Sequence, residues 1–530
     1  MTPQSLPDRP NLEHLKNQAK SLLHAARTKE LTALERFRVL PALAQKPTAE
    51  LGTINLALHD AQAVIAREHG FNSWNGLRDH VEERTLSFAA AIDEFVRCAT
   101  GAAPERALRL LALHPAIAHA NLYTELLLGD AKAVDARLQK HPEAAVQPGG
   151  IQNWEPLLYV CHTCLHKDVP ERAAGLVAIA RALLKRGANP NAEYHWNWHP
   201  ELPRTALWAS LCAVRHLPLA EVLLEGGANP TDGVSTHITA GGGDLPALEL
   251  LHRFGLNVNG IPGGVPPLRY ILDWAATPTE RATGVHWLLE HGADPNLSWG
   301  EHDDAPIHIA AQRWDVAMIE LLVRHGADIH RQRADGRTAH TLAKLHGNQE
   351  IATWLLAHGA KDELSTLERF VSTCARGDRA RAEVLLQTHP NLRGELQVDH
   401  HLMMHVPAER GDAQVLETML ACGFDPNVRD HDGVTALHRA AMAGHADATR
   451  VLLAHGASVR ALDGMFAATP LVWATEGWSH ASPGTDHPAV ARLLIAAGSS
   501  LEWIPPEKAP DPEGTQERLI ELCRLATATS

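Results

Sequence analysis

The chain has 530 residues, of which 45% are hydrophobic and 21% charged, so it can bury a large core without metals or crosslinks. Aromatic residues make up only 5%, and alanine and leucine dominate the apolar set, which favours helices over strands. A formal net charge of −14, without any dense run of lysine and arginine, argues against nucleic acid as a partner.

Cysteine usage and the opening residues indicate the compartment. Seven cysteines are scattered at spacings that do not suggest a disulfide framework, which is typical of a reducing environment. The first residues lack the apolar core of a signal peptide, and no run approaches the length of a membrane span. We therefore expect a cytoplasmic protein. The 34 histidines would move the net charge toward zero on acidification.

Residues 1–85 precede the periodic part of the chain. They contain two helical stretches, at 12–40 and 59–83, joined by a link with proline and threonine. The simplest role of this region is a cap, since the end of a repeat array exposes an apolar face. We expect three apolar residues to pack it against the first repeat: Phe71, Trp74 and Leu77.

From residue 86 onward, a leucine-rich segment that ends in Gly-Ala-Asn, Gly-Ala-Asp or a variant recurs along the chain. Gly326 and Gly359 are 33 residues apart, as are Gly423 and Gly456, and this distance gives the length of the unit. The glycines that end these segments are Gly187, Gly227, Gly255, Gly292, Gly326, Gly359, Gly423, Gly456 and Gly498.

Each unit is expected to hold two helices, as residues 434–459 illustrate. Thr435 is placed to cap a first helix whose apolar residues recur at spacings of three and four. Gly444 and His445 interrupt that helix, and a second helix follows. Gly456 then supplies a left-handed C-terminal cap.

The start of this unit, Thr-Ala-Leu-His-Arg-Ala-Ala at 435–441, and its Leu-Leu-x-x-Gly-Ala end resemble the ankyrin repeat, which has the same period. Residues 305–311 match that start with Ala305 in place of the capping threonine. Residues 469–473 match it with Trp473 in place of a small residue. The resemblance covers roughly twelve units over about four fifths of the chain.

This resemblance implies an all-α fold, an ankyrin-type α-solenoid of helix-turn-helix repeats with short β-turn fingers and helical caps. It also implies that His308 and His438 are the family's structural histidine, which bonds between repeats. Segments similar to residues 1–85 precede such arrays in some bacterial proteins, so we expect a bacterial source.

Three units end in His-Pro instead of Gly-Ala, at 114–115, 141–142 and 389–390. Because proline disfavours helix at the residue before it, the stop is kept. The third of these units begins a second sub-array. We therefore predict four regions: an N-terminal helical cap region (1–85), a first sub-array (86–364), a second sub-array (365–504), and a tail with a cap helix (505–530).

The motif Cys161-His162-Thr163-Cys164-Leu165-His166 offers thiols and imidazoles at a spacing that zinc can use. However, no second Cys-x-x-Cys pair follows, and the segment continues a helical pattern that starts at Pro156. We interpret these cysteines as buried residues of a helix. We expect no metal and no cofactor.

Two tryptophans and two histidines fall within loop residues 194–199, where no apolar periodicity explains them. Loops carry binding residues more often than cores do, although these indoles could instead fold back over the neighbouring hairpin. Further loop and inner-helix residues could join them. The candidate binding residues are Tyr194, His195, Trp196, Trp198, His199, Trp208, His302, Asp303 and Trp314.

Other polar clusters have simpler interpretations. Residues 301–304 are interpreted as a solvated acidic turn, and Asp399-His400-His401 as the start of a helix. The chain shows no phosphate loop, nucleophile elbow or zinc-protease motif, so nothing in it indicates catalysis.

We expect a binding scaffold that mediates protein–protein interaction through its concave surface and finger loops, the usual role that the resemblance implies. An inhibitor that masks one protein belongs to the same class. The alternative is a small-molecule binding protein or enzyme with a Trp- and His-lined site on the concave face. A protein partner is favoured, a small molecule is second, and neither nucleic acid nor a membrane is expected.

Overall fold

The computed structural model describes residues 6–7, 10–41, 43–54, 56–101, 103–167, 169–196, 199–261, 264–273, 278–479, 481, 483–501, 503 and 512–528. The chain forms two compact units, the first made of Met1–Glu193 and Thr205–Ala228, the second of Tyr194–Arg204 and Asn229–Ser530. The region boundaries at residues 85, 364 and 504 stay a prediction. None of the described helices combines the length and apolar character that a membrane crossing requires.

The first unit opens with five short helices that enclose a core of their own. They are α1 (Leu12–Arg27), α2 (Leu31–Arg36), α3 (Thr48–Leu51), α4 (Leu58–Glu68) and α5 (Trp74–Thr85). The two predicted stretches, 12–40 and 59–83, are helical, and each is divided into shorter helices. Lys29 and Gly70 adopt φ of 63° and 87°, and a residue in the left-handed region ends a right-handed helix.

The predicted packing of Phe71, Trp74 and Leu77 is also wrong. Leu77 is fully buried in the N-terminal core, and Phe71 and Trp74 pack at the edge of that same core. The connection to the first repeat is ionic. The carboxylate of Glu83 on α5 is buried, and the guanidinium of Arg109 donates to it at 2.7 Å.

The remainder of the first unit is built of helix pairs. Its helices are α6 (Phe88–Ala99), α7 (Pro104–Leu113), α8 (Leu122–Leu128), α9 (Ala131–Lys140), α10 (Pro156–His162), α11 (Pro170–Lys185), α12 (Ala206–Trp208) and α13 (Leu217–Glu225). A π-helical turn, Ala209–Ala213, follows α12. The predicted helix-turn-helix pattern at 88–119 and 120–146 is confirmed. As predicted, His114 and His141 end their helices, with a backbone conformation outside the helical region.

The second unit continues the same pattern. Its helices are α14 (Ser235–Gly241), α15 (Leu245–Arg253), α16 (Pro267–Asp273), α17 (Pro278–Glu290), α18 (Pro306–Arg313), α19 (Val316–Arg324), α20 (Ala339–Leu345), α21 (Gln349–Ala357), α22 (Thr366–Ala375), α23 (Arg379–Thr388), α24 (Val398–Leu402), α25 (His405–Arg410), α26 (Ala413–Ala421), α27 (Ala436–Met442), α28 (Ala446–Ala454), α29 (Pro470–Ser479), α30 (His487–Ala496) and α31 (Pro512–Ala528).

Among the described residues, strands are confined to a hairpin in which β1 (Glu193–Trp196) pairs with β2 (His199–Thr205) and to isolated bridges in the turns between repeats. One such bridge joins Trp299 to Asp304 and another joins Gln332 to Thr338. We call the turns that lead into the first helix of each pair the fingers. The predicted β-turn fingers are confirmed at these positions.

The Gly-Ala ends explain how one pair stops and the next begins. All nine glycines predicted to cap the second helices have φ between 83° and 103°, as predicted. An asparagine in the finger then connects neighbouring repeats. The side chain of Asn296 accepts from the Asp328 amide at 2.8 Å and donates to the Gly326 carbonyl at 2.8 Å. Asn427 makes the equivalent bonds to Ser458 and Gly456.

The predicted structural histidines are confirmed. Nδ1 of His308 accepts from the Ala305 amide at 3.1 Å, and Nε2 donates to the Arg331 carbonyl at 2.9 Å. His438 bonds in the same way to the Thr435 amide and the Ala468 carbonyl. Both rings are fully buried, and burial lowers the pKa of each.

The second helices carry a recurring indole–imidazole stack. The ring of Trp287 stacks on His291 with centroids 3.9 Å apart, and Trp354 stacks on His358 at 3.7 Å. The indole N–H of Trp287 donates to Glu249 at 2.7 Å, and that of Trp354 donates to Glu320 at 3.0 Å. Each glutamate lies on the second helix of an earlier pair, so these bonds tie successive second helices together.

The last helix closes the second unit without a core of its own. α31 packs against α29 and α30 and buries one face. Thr515 and Arg518 on this helix also bond to Glu476 of α29, at 2.8 and 2.7 Å. The buried apolar residues described on α31 are Leu519, Leu522, Cys523 and Ala526.

Candidate functional site

A cavity of about 580 Å³ lies between the fingers and the first helices of the second unit. Its lining is strongly charged and contains five arginines and five aspartates, with histidines and aromatic residues between them. The charged and aromatic residues are Arg269, Arg313, Arg333, Arg337, Arg439, Asp273, Asp399, Asp430, Asp432, Asp463, His302, His346, His405, His431, Tyr270, Phe466 and Trp473.

Two of these arginines are held in place by carboxylates. Arg333 pairs with Asp304 at 3.1 Å and with Asp335 at 2.6 Å. Arg337 shares Asp335, at 3.2 Å. Although partial burial acts to raise the pKa of Asp335, hydrogen bonds from Arg333 and Arg337 outweigh it and hold that pKa below its usual value. Because both guanidiniums are fixed before any partner arrives, little rotamer entropy is lost on binding.

Two further arginines lie over tryptophan rings. The guanidinium carbon of Arg439 is 5.8 Å from the ring centroid of Trp473, and that of Arg269 is 5.4 Å from the ring of Trp299. The Trp473 indole donates to Asp463 at 2.8 Å. Such cation–π pairs present broad amphipathic faces to a partner.

Asp463 organises the finger that carries this pair. Its carboxylate is buried and accepts the backbone amides of Met465, Phe466 and Ala468 in addition to the indole of Trp473. Its acceptor capacity is used within the protein, so it serves to position Trp473.

His405 lies at the floor of the cavity as a neutral ring. Burial, and then the charge of Arg439, lowers its pKa to about 4. Its Nδ1 is 3.7 Å from the Asp430 carboxylate, and Nε2 has no hydrogen-bond partner among the described residues. The imidazole is therefore uncharged at neutral pH.

Within the described part of the chain, one cluster brings three potential metal-ligating atoms together, those of Asp430, His431 and Asp432. The Asp430 carboxylate already accepts the amides of Asp432 and Val434 and lies 3.4 Å from the Arg439 guanidinium. A cation there would compete with a fixed guanidinium, so these residues do not fit a metal. The arrangement is suited to recognition by charge and by flat ring surfaces.

Of the nine predicted binding residues, His302 lines this cavity. Its neighbour Asp303 is exposed and bonds to Ser298 and Arg331 instead. Trp314 lines a different cavity of about 660 Å³, together with Leu245 and Trp287. The structure therefore does not bring these three residues to one site, and their role in binding stays a prediction.

The remaining predicted residues are divided between the two units. Trp208 belongs to the first unit, where its ring is 6.4 Å from that of His162. Tyr194 and His195 lie on β1 of the hairpin. The side chains of Trp196 and His199 lie outside the described residues, as does Trp198 altogether.

The cysteine motif is helical only in part. α10 ends at His162, so Cys161 is a buried helical residue as predicted, whereas Cys164 lies beyond the helix and is half-buried. Burial raises the pKa of the Cys161 thiol and lowers that of His162 to about 4. Both groups are therefore neutral near pH 7.

The two simpler interpretations are also resolved. Asp399, His400 and His401 lie in α24, as predicted. The turn at 301–304 is not wholly solvated, because Asp304 is buried in its pair with Arg333. The sequence analysis did not identify the arginines of the cavity. A single arginine in a repeat forms no sequence pattern, and the fold alone brings these arginines together between the fingers and the first helices.

Paired helices, fingers before each first helix, left-handed glycine ends and histidines bonded across units define an α-helical repeat protein.

The second unit contains ankyrin repeats, and the described residues have the all-α fold of that class. The family model described as ankyrin repeats (3 copies) matches residues 272–366 and 402–502. These ranges contain both histidines that match the repeat's start, His308 and His438.

Relatives share the repeats over limited lengths. The chain is 32% identical over 174 residues to human SH3 and multiple ankyrin repeat domains protein 2, covering 32% of this chain and 9% of that protein. It is 27% identical over 201 residues to ankyrin repeat protein YahD of Escherichia coli (strain K12), covering 36% of this chain and 94% of that protein.

A solved structure, the human ASB11 ankyrin repeat domain, is 24% identical with a TM-score of 0.33, and the match covers 46% of this chain and 99% of that one. The chain spans 9%, 26% and 12% of the length of three of the curated relatives that it matches.

Proposed function

We propose that the chain is a scaffold that binds a protein partner through the cavity and finger tips of its second unit. The observation that carries this proposal is the pair of arginine–tryptophan contacts, Arg439 with Trp473 and Arg269 with Trp299. Arginine and tryptophan are enriched among the residues that dominate binding energy at protein interfaces.

Exposed apolar side chains on the fingers support the same surface. Their exposed fractions, 38% to 45%, are large for residues of this type, and each lies in or beside a turn that precedes a first helix. An apolar tip beside fixed charged groups is the arrangement of interface cores with polar rims. These residues are Ile261, Trp299, Leu462 and Met465.

The residues predicted from the sequence form a second part of the proposal. Tyr194, His195, Trp196, Trp198 and His199 on the hairpin, with Trp208 and Trp314 elsewhere, are proposed as further contacts. Loop position and indole area are the arguments for them.

The cytoplasm is the compartment that we propose. The free thiols of the structure include those of five buried or half-buried cysteines, which suits a reducing environment. They are Cys98, Cys161, Cys164, Cys374 and Cys422. The bacterial source stays a prediction.

The proposal is tested by quantitative affinity capture from cell lysate followed by calorimetric titration of whatever protein is captured. Trp299→Ala with Met465→Ala removes two exposed finger tips and should weaken binding at least about tenfold. The matched control is Val384→Ala, an exposed apolar residue on α23 with an exposed fraction of 56%.

The proposed surface is supported if the Val384→Ala control keeps its affinity for the partner and the Trp299→Ala, Met465→Ala variant loses it. Loss by the Val384 variant with full binding by the finger variant would move the interface to the second helices. Failure of any protein to be retained at stoichiometric levels would contradict the scaffold function.

A further inference from the structure

One position in the repeat carries an arginine or histidine side chain in four consecutive repeats. It is the residue at the end of the first helix, directly before the turn into the second helix. In these units it is Arg313, His346, Arg376 and Arg410. Equivalent positions of neighbouring repeats lie side by side, and we call these four residues the row.

The row borders a cavity of about 400 Å³ that adjoins the larger one. Arg376, Arg410 and His346 line it, and Met403, Val406 and Met419 supply apolar walls. Small-molecule sites are typically a few hundred cubic ångströms or more in volume, with apolar walls and a few polar groups. The dimensions suit a small ligand rather than a peptide.

In this row Arg313 lies 3.9 Å from the Asp273 carboxylate, whereas Arg376 and Arg410 lack carboxylates of the kind that hold Arg333 and Arg337. Nε of Arg376 donates to the Ser372 carbonyl at 3.4 Å, and Nη2 of Arg410 donates to the Arg313 carbonyl at 3.2 Å. Neither arginine has a carboxylate within 4.0 Å among the residues that the structure describes. Asp412 lines the same cavity and is exposed.

The imidazole of His346 shows that the local field is positive. Its pKa is lowered to about 3, first by burial and then by the charges of four arginines, Arg313, Arg333, Arg410 and Arg337. Nδ1 is buried without a hydrogen-bond partner in the described part of the chain. A cationic region of this kind stands out in a chain whose net charge is −14.

We propose that this cavity is a binding site for an oxyanion, the carboxylate or phosphate group of a small molecule. The guanidiniums of Arg376 and Arg410 offer paired N–H donors that match two oxygens of such a group. The methionine and valine walls accept the apolar remainder of the ligand. This cavity adjoins the proposed protein interface and shares His346, Met403 and Val406 with it. Neither Arg376 nor Arg410 lines the larger cavity, so changes at these two arginines test the anion site separately.

The test uses the full chain and two probes, inorganic phosphate and citrate, each compared with sodium chloride at equal ionic strength. Calorimetry and thermal melts should show saturable binding of at least one probe. Stronger binding of phosphate identifies a phosphorylated ligand, and stronger binding of citrate identifies a carboxylic acid. No binding or stabilisation beyond that of chloride by either probe would overturn the proposal.

Variants locate the site. Arg376→Gln with Arg410→Gln should weaken binding of the probe at least about tenfold, because both charge-assisted contacts are removed. Arg379→Gln is the matched control, since Arg379 is an exposed arginine on α23 that pairs with Glu383 at 2.9 Å. Unchanged affinity in the double variant would also refute the site.

A gain in affinity separates binding from a folding defect. Asp412→Asn removes the carboxylate that lines the cavity and should tighten anion binding by about threefold or more, since like charge repels the ligand. A misfolded variant cannot bind more tightly. Weaker binding by this variant, with an unchanged melting temperature, would mean that the anion sits elsewhere.

Discussion

The helices α1 to α5 pack around a hydrophobic core of their own, whereas α31 packs on a core that it shares with α29 and α30. Phe37 and Leu77 are fully buried within α1 to α5 and their connections. Leu522 of α31 is equally buried, but its core contains residues of α29 and α30. An end with its own core can open and close as a separate unit, whereas an end that shares one cannot. The two ends should therefore respond differently to the same perturbation.

Acid should destabilise the repeats more than the N-terminal core, and this is the largest difference that we expect. Burial lowers the pKa of His162 to about 4, of His346 to about 3 and of His405 to about 4. Between pH 6.5 and these values the unfolded chain binds more protons than the folded one, so the free energy of unfolding falls as the pH falls. At pH 5 each of these buried, neutral rings lowers the free energy of unfolding by about 2 kcal/mol relative to neutral pH.

The five histidines of α1 to α5 and their connections are exposed or half-buried, so the N-terminal core should outlast the repeats. Hydrogen exchange at pH 7 and pH 5, corrected for intrinsic rates, would check this. Loss of protection in α1 and α4 before the repeats would contradict the comparison.

Matched truncations in the two cores come next. Leu522→Ala and Leu77→Ala each remove a fully buried leucine and should each cost about 3 kcal/mol. The Leu522 variant should lose protection in α29 and α30, because they share its core. The Leu77 variant should lose it in α1 to α5 alone. Segment-resolved hydrogen exchange on both proteins distinguishes these outcomes, and identical exchange maps would show that the ends are not separate.

Glu83→Ala sharpens the comparison at the connection between the N-terminal core and the first repeat. It removes the carboxylate to which Arg109 donates and leaves a guanidinium without its partner, a change worth about 2 kcal/mol. If residues 1–85 cap the array, exchange should rise in α6 and α7 while the N-terminal core stays protected. Thermal melts and exchange would both report it. Unchanged exchange in α6 would indicate an independent module instead of a cap.

Arg518→Ala should have the smallest effect. Its pair with Glu476 is partly exposed, and pairs of this kind contribute less than about 1 kcal/mol. The expected change in melting temperature is small, with α31 still protected. A loss comparable to that of Leu522→Ala would show that the last helix is held by charge more than by its apolar face.

The repeats were predictable because the same sequence signals, such as a capping glycine and a buried histidine, recur from one repeat to the next. Gly456 and Gly326 end their helices in the left-handed region, and His308 and His438 bond across units, all as the pattern indicated. Residues 1–85 lack that redundancy. Lys29 ends α1 in a left-handed conformation that a non-glycine residue rarely adopts, and no local signal announced it.

The candidate sites were less predictable for a different reason. Tryptophans and histidines attract notice in a sequence, so His302 was found, and so was Trp314, which faces another cavity. Arg333 and Arg439 act through partners that are distant in the chain, and a single sequence does not place those partners. The row from Arg313 to Arg410 could have been found by aligning the units on their turns, since the position recurs in each.

The stacked Trp287–His291 and Trp354–His358 pairs make the second helices optically responsive. The emission of an indole depends on the ring that is stacked against it, so separation of either pair should change the emission of its tryptophan. Two of the 13 tryptophans therefore report the packing of the second helices without any added label.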